Sequence, residues 1–185
     1  MSIRVLALAL ALLSSNMVLA EEGHYYLGVD VGDFGYSVEG YASPDNAKGY
    51  VLRLGYDFNN WLAIEGHYAD PEDYKYSSAN LSTNSLSAFA RLNLRFKRAT
   101  LYGIAGGTRV SASVTAPGLG AASDSSSALA YGAGLDVYGS KDTAITFAFI
   151  RYYDKKIDGA KNTIDATTIG ITHYFGDRPR IYKRY

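Results

Sequence analysis

Three histidines stand at positions 24, 67 and 173, and the chain contains no cysteine. Thiol nucleophiles, disulfides and Cys-ligated zinc are therefore excluded. Glu65 and His67 lie two apart. On an extended strand that spacing puts both on one face, where a carboxylate and an imidazole could exchange a proton. The plainer reading is a hydrogen-bonded pair within a polar packing, because many other charges share that face. A His–Ser pair of the acyl-transfer kind would need serine two residues after a histidine; those positions hold Tyr26, Ala69 and Phe175. No GxSxG, HExxH or phosphate-loop pattern occurs, and Gly103, Gly106 and Gly107 sit inside a strand pattern rather than before a helix. The acidic stretch beginning Asp70-Pro-Glu-Asp has no spacing recognisable as Ca²⁺ or Mg²⁺ ligation. The expectation is a non-enzyme with no catalytic residue, cofactor or metal.

What holds these residues is set by composition. The 185 residues carry 18 basic and 18 acidic side chains, a balance that gives no reason to expect nucleic-acid binding. Glycine (19) and tyrosine (17) are in surplus, and the mean hydropathy of −0.09 is too polar for a helical membrane bundle. Met1–Ala20 is the exception. Arg4 precedes the apolar run Val5–Leu13, and Val18-Leu19-Ala20 offers small or short side chains before Glu21. This reads as a secretory leader cut between Ala20 and Glu21; the run is too short to span a bilayer. The organisation expected is a leader over 1–20, one domain over 21–175 and a basic tail over 176–185.

After Ala20 the hydrophobic period is two, in segments of roughly ten residues separated by Gly/Asn/Asp/Ser-rich stretches. Eight strands are expected: Tyr25–Gly32, Tyr50–Phe58, Trp61–Tyr68, Leu86–Phe96, Thr100–Val110, Ala128–Val137, Ala144–Tyr153 and Thr163–Phe175. The connections between them alternate long and short, Ser111–Ser127 reading as a long Ala/Gly/Ser-rich loop. In a soluble barrel the apolar face turns inward; in a membrane barrel it meets lipid and the polar face lines the interior. Three features favour the second. The connection lengths alternate as in outer-membrane barrels. Aromatic residues collect at strand ends, where two girdles are expected from Tyr25, Tyr56, Phe58, Phe96, Tyr102 and Phe175 at one rim and Tyr50 and Tyr68 at the other. The polar faces carry both signs of charge, and the interior network expected is Asp30, Arg53, Asp57, Glu65, His67, Arg91, Arg95, Arg109 and Asp136. Charges in a narrow eight-strand interior must pair, with glycines such as 28, 55, 103, 107 and 134 giving room to the long arginines. The segment Ala144–Tyr153 fits less cleanly: its Ile145/Phe147/Phe149 face also holds Arg151, and periodicity alone leaves its facing open.

The order of Leu54-Gly55-Tyr56-Asp57-Phe58-Asn59, Arg151-Tyr152-Tyr153-Asp154 and the closing Gly170-Ile171-Thr172-His173-Tyr174-Phe175 resembles the small eight-stranded outer-membrane β-barrels, OmpA-transmembrane-domain-like or OmpX-like. That resemblance covers about 22–175. It implies an all-β, antiparallel up-and-down transmembrane barrel in a Gram-negative outer membrane, with both termini periplasmic. It also implies periplasmic chaperones and the barrel-assembly machinery as partners; contact with outer-membrane lipid and lipopolysaccharide is expected, and a monomer is favoured with the oligomeric state left open. The chain continues past Phe175, and its strand Ala144–Tyr153 lacks the interior charges usual in such barrels; by that analogy the Arg151 face would point inward, whereas lipid preference would turn it outward. The function expected is a structural or surface-interaction barrel with a plugged, polar lumen and four extracellular loops. The alternatives are a narrow pore for small or apolar solutes and a lipid-modifying enzyme using Glu65 and His67.

Overall fold

The computed structural model describes residues 23–40, 43, 45–76, 79–116, 120–157 and 159–176; the expected leader, its Ala20/Glu21 cut and nearly all of the tail lie outside them. Nine strands form one antiparallel sheet: β1 (His24–Val38), β2 (Ala47–Asp57), β3 (Leu62–Pro71), β4 (Tyr74–Tyr76), β5 (Ala79–Arg95), β6 (Ala99–Ala116), β7 (Gly120–Tyr138), β8 (Thr143–Ile157) and β9 (Ala160–Tyr174). The three-residue β4 pairs only with the amino-terminal end of β5, while β3 pairs directly with β5. The wall is therefore eight strands, closed where β1 meets β9 from Tyr26↔Tyr174 to Val38↔Asn162. Closure removes the exposed edges that an open sheet would present.

Tight turns at 58–61, 96–98 and 139–142, together with both described chain ends, gather at one end of the barrel, the turn end. Asn59 shapes the first turn, its Oδ1 accepting from the amides of Trp61 and Leu62; an Asx side chain mimics the backbone in this way. At the opposite, hairpin end the strands run on beyond the expected boundaries. The segment expected as a long loop over Ser111–Ser127 is mostly ladder, with β6 and β7 paired continuously up to Ala116↔Gly120. Its Ala- and Gly-rich composition carried little strand signal.

Burial is inverted relative to a protein folded in water. Leu129, Leu86 and Leu94 are 73%, 66% and 63% exposed, whereas Arg53 and Arg91 are 1% exposed. Such a surface is stable only against an apolar solvent. The outward band is bounded by aromatic rings. Tyr25, Tyr56, Phe58, Trp61, Phe96 and Phe175 lie toward the turn end, and Tyr50, Tyr68 and Tyr131 toward the hairpin end. Along β2, eight steps from Phe58 to Tyr50 at about 3.3 Å, tilted by roughly 40°, give a band about 20 Å high.

β8 carries the one irregularity in the wall. Its pairing shifts between Leu129/Tyr131 on one side and Arg151/Tyr153 on the other. A bulge puts one extra residue into a strand, so consecutive Tyr152 and Tyr153 are both buried. This is why the segment resisted clean alternation. Ile145, Phe147 and Phe149 face outward, and half-buried Arg151 stands above them, bonded through Nε and Nη2 to Asp165 at 2.7 and 2.9 Å. The inward Arg151 face implied by family analogy is not what the structure has.

Candidate functional site

Alternation on the wall strands delivers one polar residue after another to the interior, and these side chains form a single connected network. Arg53 of β2 donates to Asp30 of β1 from Nε (2.6 Å) and to Thr172 of β9 from Nη2 (2.6 Å). Thr172 and Thr146 of β8 share a hydrogen bond at 2.7 Å, and Thr146 donates to Asp136 of β7 at 2.7 Å. Asp136 also accepts from Tyr174 of β9 (2.8 Å) and from Arg91 of β5. Arg91 reaches Glu65 of β3 at 2.7 Å, and Glu65 accepts from Tyr26 of β1. The guanidinium carbon of Arg91 lies 3.7 Å from the centroid of the Tyr102 ring on β6. Every wall strand thus contributes to the network. Charge-assisted bonds of this kind are strong, and in a low dielectric they are costly to leave half-made.

Glu65 and His67 do meet: Nε2 of His67 contacts Oε1 of Glu65, while Nδ1 lies 2.8 Å from the Tyr152 hydroxyl. Both residues are buried, and Glu65 is already engaged by Arg91 and Tyr26. Nearer the turn end, Asp57 lies 2.7 Å from Arg95 and 2.9 Å from His24, and accepts from Asn93 at 3.1 Å. Arg91 donates to the same Asn93, which joins the two clusters. Toward the hairpin end the interior turns apolar. Phe34, Val110, Ile150, Tyr152 and Ile164 are buried together, and a small cavity lies between Phe34, Val110, Tyr152 and Ile164 on one side and Pro71, Thr83, Asn84 and Ser85 of the neighbouring wall.

Two expected placements are corrected. Arg109 is outside the barrel: exposed, at the hairpin end, donating to Ser125 at 3.0 Å. Tyr102 is inside, 2% exposed beneath Arg91. Both follow from the facing of β6. Its Tyr102, Ile104, Thr108 and Val110 line the interior, and its outward residues are Gly103, Ala105, Gly107 and Arg109, so Gly103 and Gly107 give no room to arginines. Gly28 does, since a Cβ there would run into the Arg53 guanidinium at 2.7 Å, and other glycines make room for buried rings. A Cβ on Gly55 would run into the Tyr26 ring, and one on Gly134 into the Tyr102 ring. The other expected girdle residues face outward, Tyr56 covered by Tyr25 and Phe58 at ring separations of 4.8 and 5.1 Å. His173 is also outward, with Nδ1 3.2 Å from Thr143 Oγ1.

Sequence reasoning missed the uncharged members, Tyr26, Asn93, Thr146, Tyr152, Thr172 and Tyr174, and His24. The signal was present: Tyr26 shares its strand face with Asp30, and Tyr174 with Thr172, opposite apolar faces. A search restricted to ionised groups passed over the hydroxyls that complete their bonding. Trp61 and Tyr131 were likewise absent from the expected girdles.

The family model for the outer membrane protein beta-barrel domain matches residues 5–173. Among solved structures, Ail, the attachment invasion locus protein of Yersinia pestis, superposes with a TM-score of 0.64 at 24% identity, covering 83% of this chain and 99% of that one. Neisserial surface protein A gives 0.67 at 20% identity, covering 84% and 100%. The outer membrane protein OprG from Pseudomonas aeruginosa gives 0.56 at 14% identity, covering 83% and 96%. These likenesses are of fold. No curated protein matches by sequence.

Proposed function

This chain belongs to the outer-membrane-protein β-barrel family, and from that premise we propose that it is a surface-interaction barrel whose interior is plugged and whose work is done by its outer belt and hairpin end. The carrying observation is the interior network. Arg91 alone joins β5 to β3 and β7, and Arg53 joins β2 to β1 and β9. A solute crossing the barrel would have to break charge-assisted bonds that nothing along its path replaces. The turn end lies in the periplasm with both termini, and the four long hairpins face outside, as the short-turn and long-hairpin asymmetry supports. Delivery by periplasmic chaperones and insertion by the barrel-assembly machinery accord with the secretory leader and the Phe175 strand end. Ail has been solved with the heparin analogue sucrose octasulfate. By analogy, cations of the outer rim such as Lys155 and Lys156 are candidates for a polyanionic surface partner of this chain.

Planar-bilayer recording tests the plug. Purified protein is expected to give no stable single-channel steps, and large, long-lived steps would remove the reading. The narrow-pore alternative draws little from the interior: the cavity at the hairpin end, lined by Thr83, Asn84 and Ser85 as well as by Phe34, Val110, Tyr152 and Ile164, has room for about one water. Solute uptake by liposomes carrying the protein, equal to that of empty liposomes, would dispose of the alternative. The enzymatic reading lacks support from the site, because the Glu65–His67 pair is enclosed and bonded to Arg91 and Tyr152.

A further inference from the structure

β7 runs past one of its two neighbours. It pairs with β8 from Tyr138↔Ala144 up to Leu129↔Asp154 and no further, whereas its pairing with β6 continues to Ala116↔Gly120. Above that point β8 pairs with β9 alone, as far as Ile157↔Ala160. Among the described residues, Gly120–Ala128 therefore has a strand on one side and none on the other, an edge about 26 Å long. The sheet behind it is broad. β5 backs β6 up to Asn80↔Thr115, and β4 backs the amino-terminal end of β5. The β4 side of this projecting sheet is partly covered, and its β7 side is open.

Register fixes which backbone groups stand on the open side. The amide of Tyr138 donates to the carbonyl of Arg98 at 2.9 Å, so the even-numbered residues of β7 turn their N–H and C=O toward β6 and the odd-numbered ones turn theirs away. The β6–β7 register carries this alternation unbroken to Gly120. Ala121, Ser123, Ser125 and Ser127 thus present donors and acceptors to the open edge. Ser125 already shows the want of a strand there: its amide donates to the carboxylate of the adjacent Asp124 at 2.7 Å. Proteins blunt such an edge with lysine, proline or a bulge. Gly120–Ala128 has neither lysine nor proline, its one charge is Asp124, and its pairing with β6 has no bulge.

The surroundings of the edge are cationic. Arg109 of β6 lies opposite Ser127. Across the gap, Lys155 of β8 reaches the Ser126 hydroxyl at 3.0 Å, and Lys156 stands opposite Lys161 of β9. Like charges directly across a ladder repel, and only Lys161 of these two has a carboxylate, Asp154 at 3.2 Å. Among the described residues Arg109 and Lys156 form no ion pair; the bond of Arg109 is to the Ser125 hydroxyl. A row of outward N–H and C=O groups at strand spacing is matched by another extended backbone, and the cations beside it select acidic side chains.

We propose that the open edge of β7 is a docking site for an acidic, extended segment of a partner polypeptide. The segment adds to the sheet as a further strand, with its backbone on Ala121, Ser123, Ser125 and Ser127 and its carboxylates toward Arg109, Lys155 and Lys156. Asp124 holds the Ser125 amide until the segment takes its place. This deepens the surface-interaction reading and rests on the hairpin end facing outside.

The barrel is reconstituted in nanodiscs and titrated, with fluorescence anisotropy as the readout, against labelled peptides of about eight residues. One alternates threonine and glutamate, one has lysine in place of glutamate, and one is the glutamate peptide with its amides N-methylated, which keeps the charge and loses the donors. The glutamate peptide is expected to bind about tenfold or more tighter than either of the others. Ser125→Pro removes a donor of the open edge and leaves the β6 ladder intact; it should weaken binding about tenfold. Asp124→Ala frees the Ser125 amide and should tighten it. Arg109→Gln with Lys156→Gln should erase the preference for glutamate over lysine, and Lys48→Gln, opposite Asp33, should change nothing. Three results would overturn the proposal: an N-methylated peptide that binds as well as its parent, an unchanged affinity in Ser125→Pro, or efficient disulfide dimers of Ser127→Cys in the bilayer, which would put a second copy on the edge. Heat-modifiable migration on gels establishes that each variant is folded. Labelling of Ser123→Cys on intact cells separates the two readings. A label that cannot reach it overturns the orientation and the site together, whereas a label that reaches it while no peptide binds overturns the site alone.

Discussion

Arg91→Met would leave Glu65 and Asp136 facing an apolar side chain of similar reach. Arg91 makes one charge-assisted bond to each carboxylate and stacks on Tyr102. Each such bond contributes about 1.5–3 kcal/mol, and a desolvated cation–π contact about 1–2 kcal/mol. Glu65 retains Tyr26 and His67, and Asp136 retains Thr146 and Tyr174, so the lower half of each range applies. The expected loss is about 4 kcal/mol, within the range for breaking a buried ion pair from one side and roughly a thousandfold in the folding equilibrium. Reversible urea unfolding in lipid vesicles would measure it, with Trp61, the single tryptophan, as reporter. Adding Asp136→Asn removes one of the orphaned charges and should restore part of the loss. A destabilisation below about 1 kcal/mol, or an Asp136→Asn change that adds to the Arg91→Met cost instead of relieving it, would refute the account of the interior.

Other substitutions probe single features. Gly134→Ala forces a methyl into the Tyr102 ring and should cost about 1–3 kcal/mol by overpacking, read as a lower urea midpoint. Tyr152→Phe strips His67 Nδ1 of its hydroxyl partner; a loss of about 1–2 kcal/mol is expected, with a shifted ¹⁵N resonance for that ring, and an unmoved resonance would deny the contact. Arg151→Gln breaks the pair with Asp165, whose side chains are 27% and 28% exposed. Solvent screening there limits the expected cost to about 1 kcal/mol or less, so a larger fall in midpoint would mean that the hairpin end is drier than its geometry indicates.

Strand number, antiparallel order and the inverted facing were legible because most strands pair a strongly apolar face with a charged one. Val29 and Val31 against Asp30, or Leu52 and Leu54 against Arg53, leave little ambiguity about which side meets lipid. β6 failed for want of contrast. Its outward face is Gly103, Ala105 and Gly107, nearly without hydropathy, while Tyr102, Ile104 and Val110 look like a lipid face. Only the placement of Arg91, which needs the Tyr102 ring beneath it, decides the matter, and that contact joins residues on different strands. Arg109 misled for a related reason: it lies beyond the apolar band, where charge says nothing about inside or outside. The charged core of the site was readable from alternation. Its hydroxyl members were not singled out, because Tyr and Thr are common in strands for packing alone.

Arg53 sits astride the junction of the two ends of the wall. Its bond to Asp30 can form within the amino-terminal hairpin, but its bond to Thr172 exists only after β9 has arrived against β1. Until then the arginine's second arm remains hydrated in an unfinished polypeptide. The arrival of β9 therefore acts as a zip fastener, and the barrel has no finished interior to stabilise it until the first and last strands of its wall have found each other.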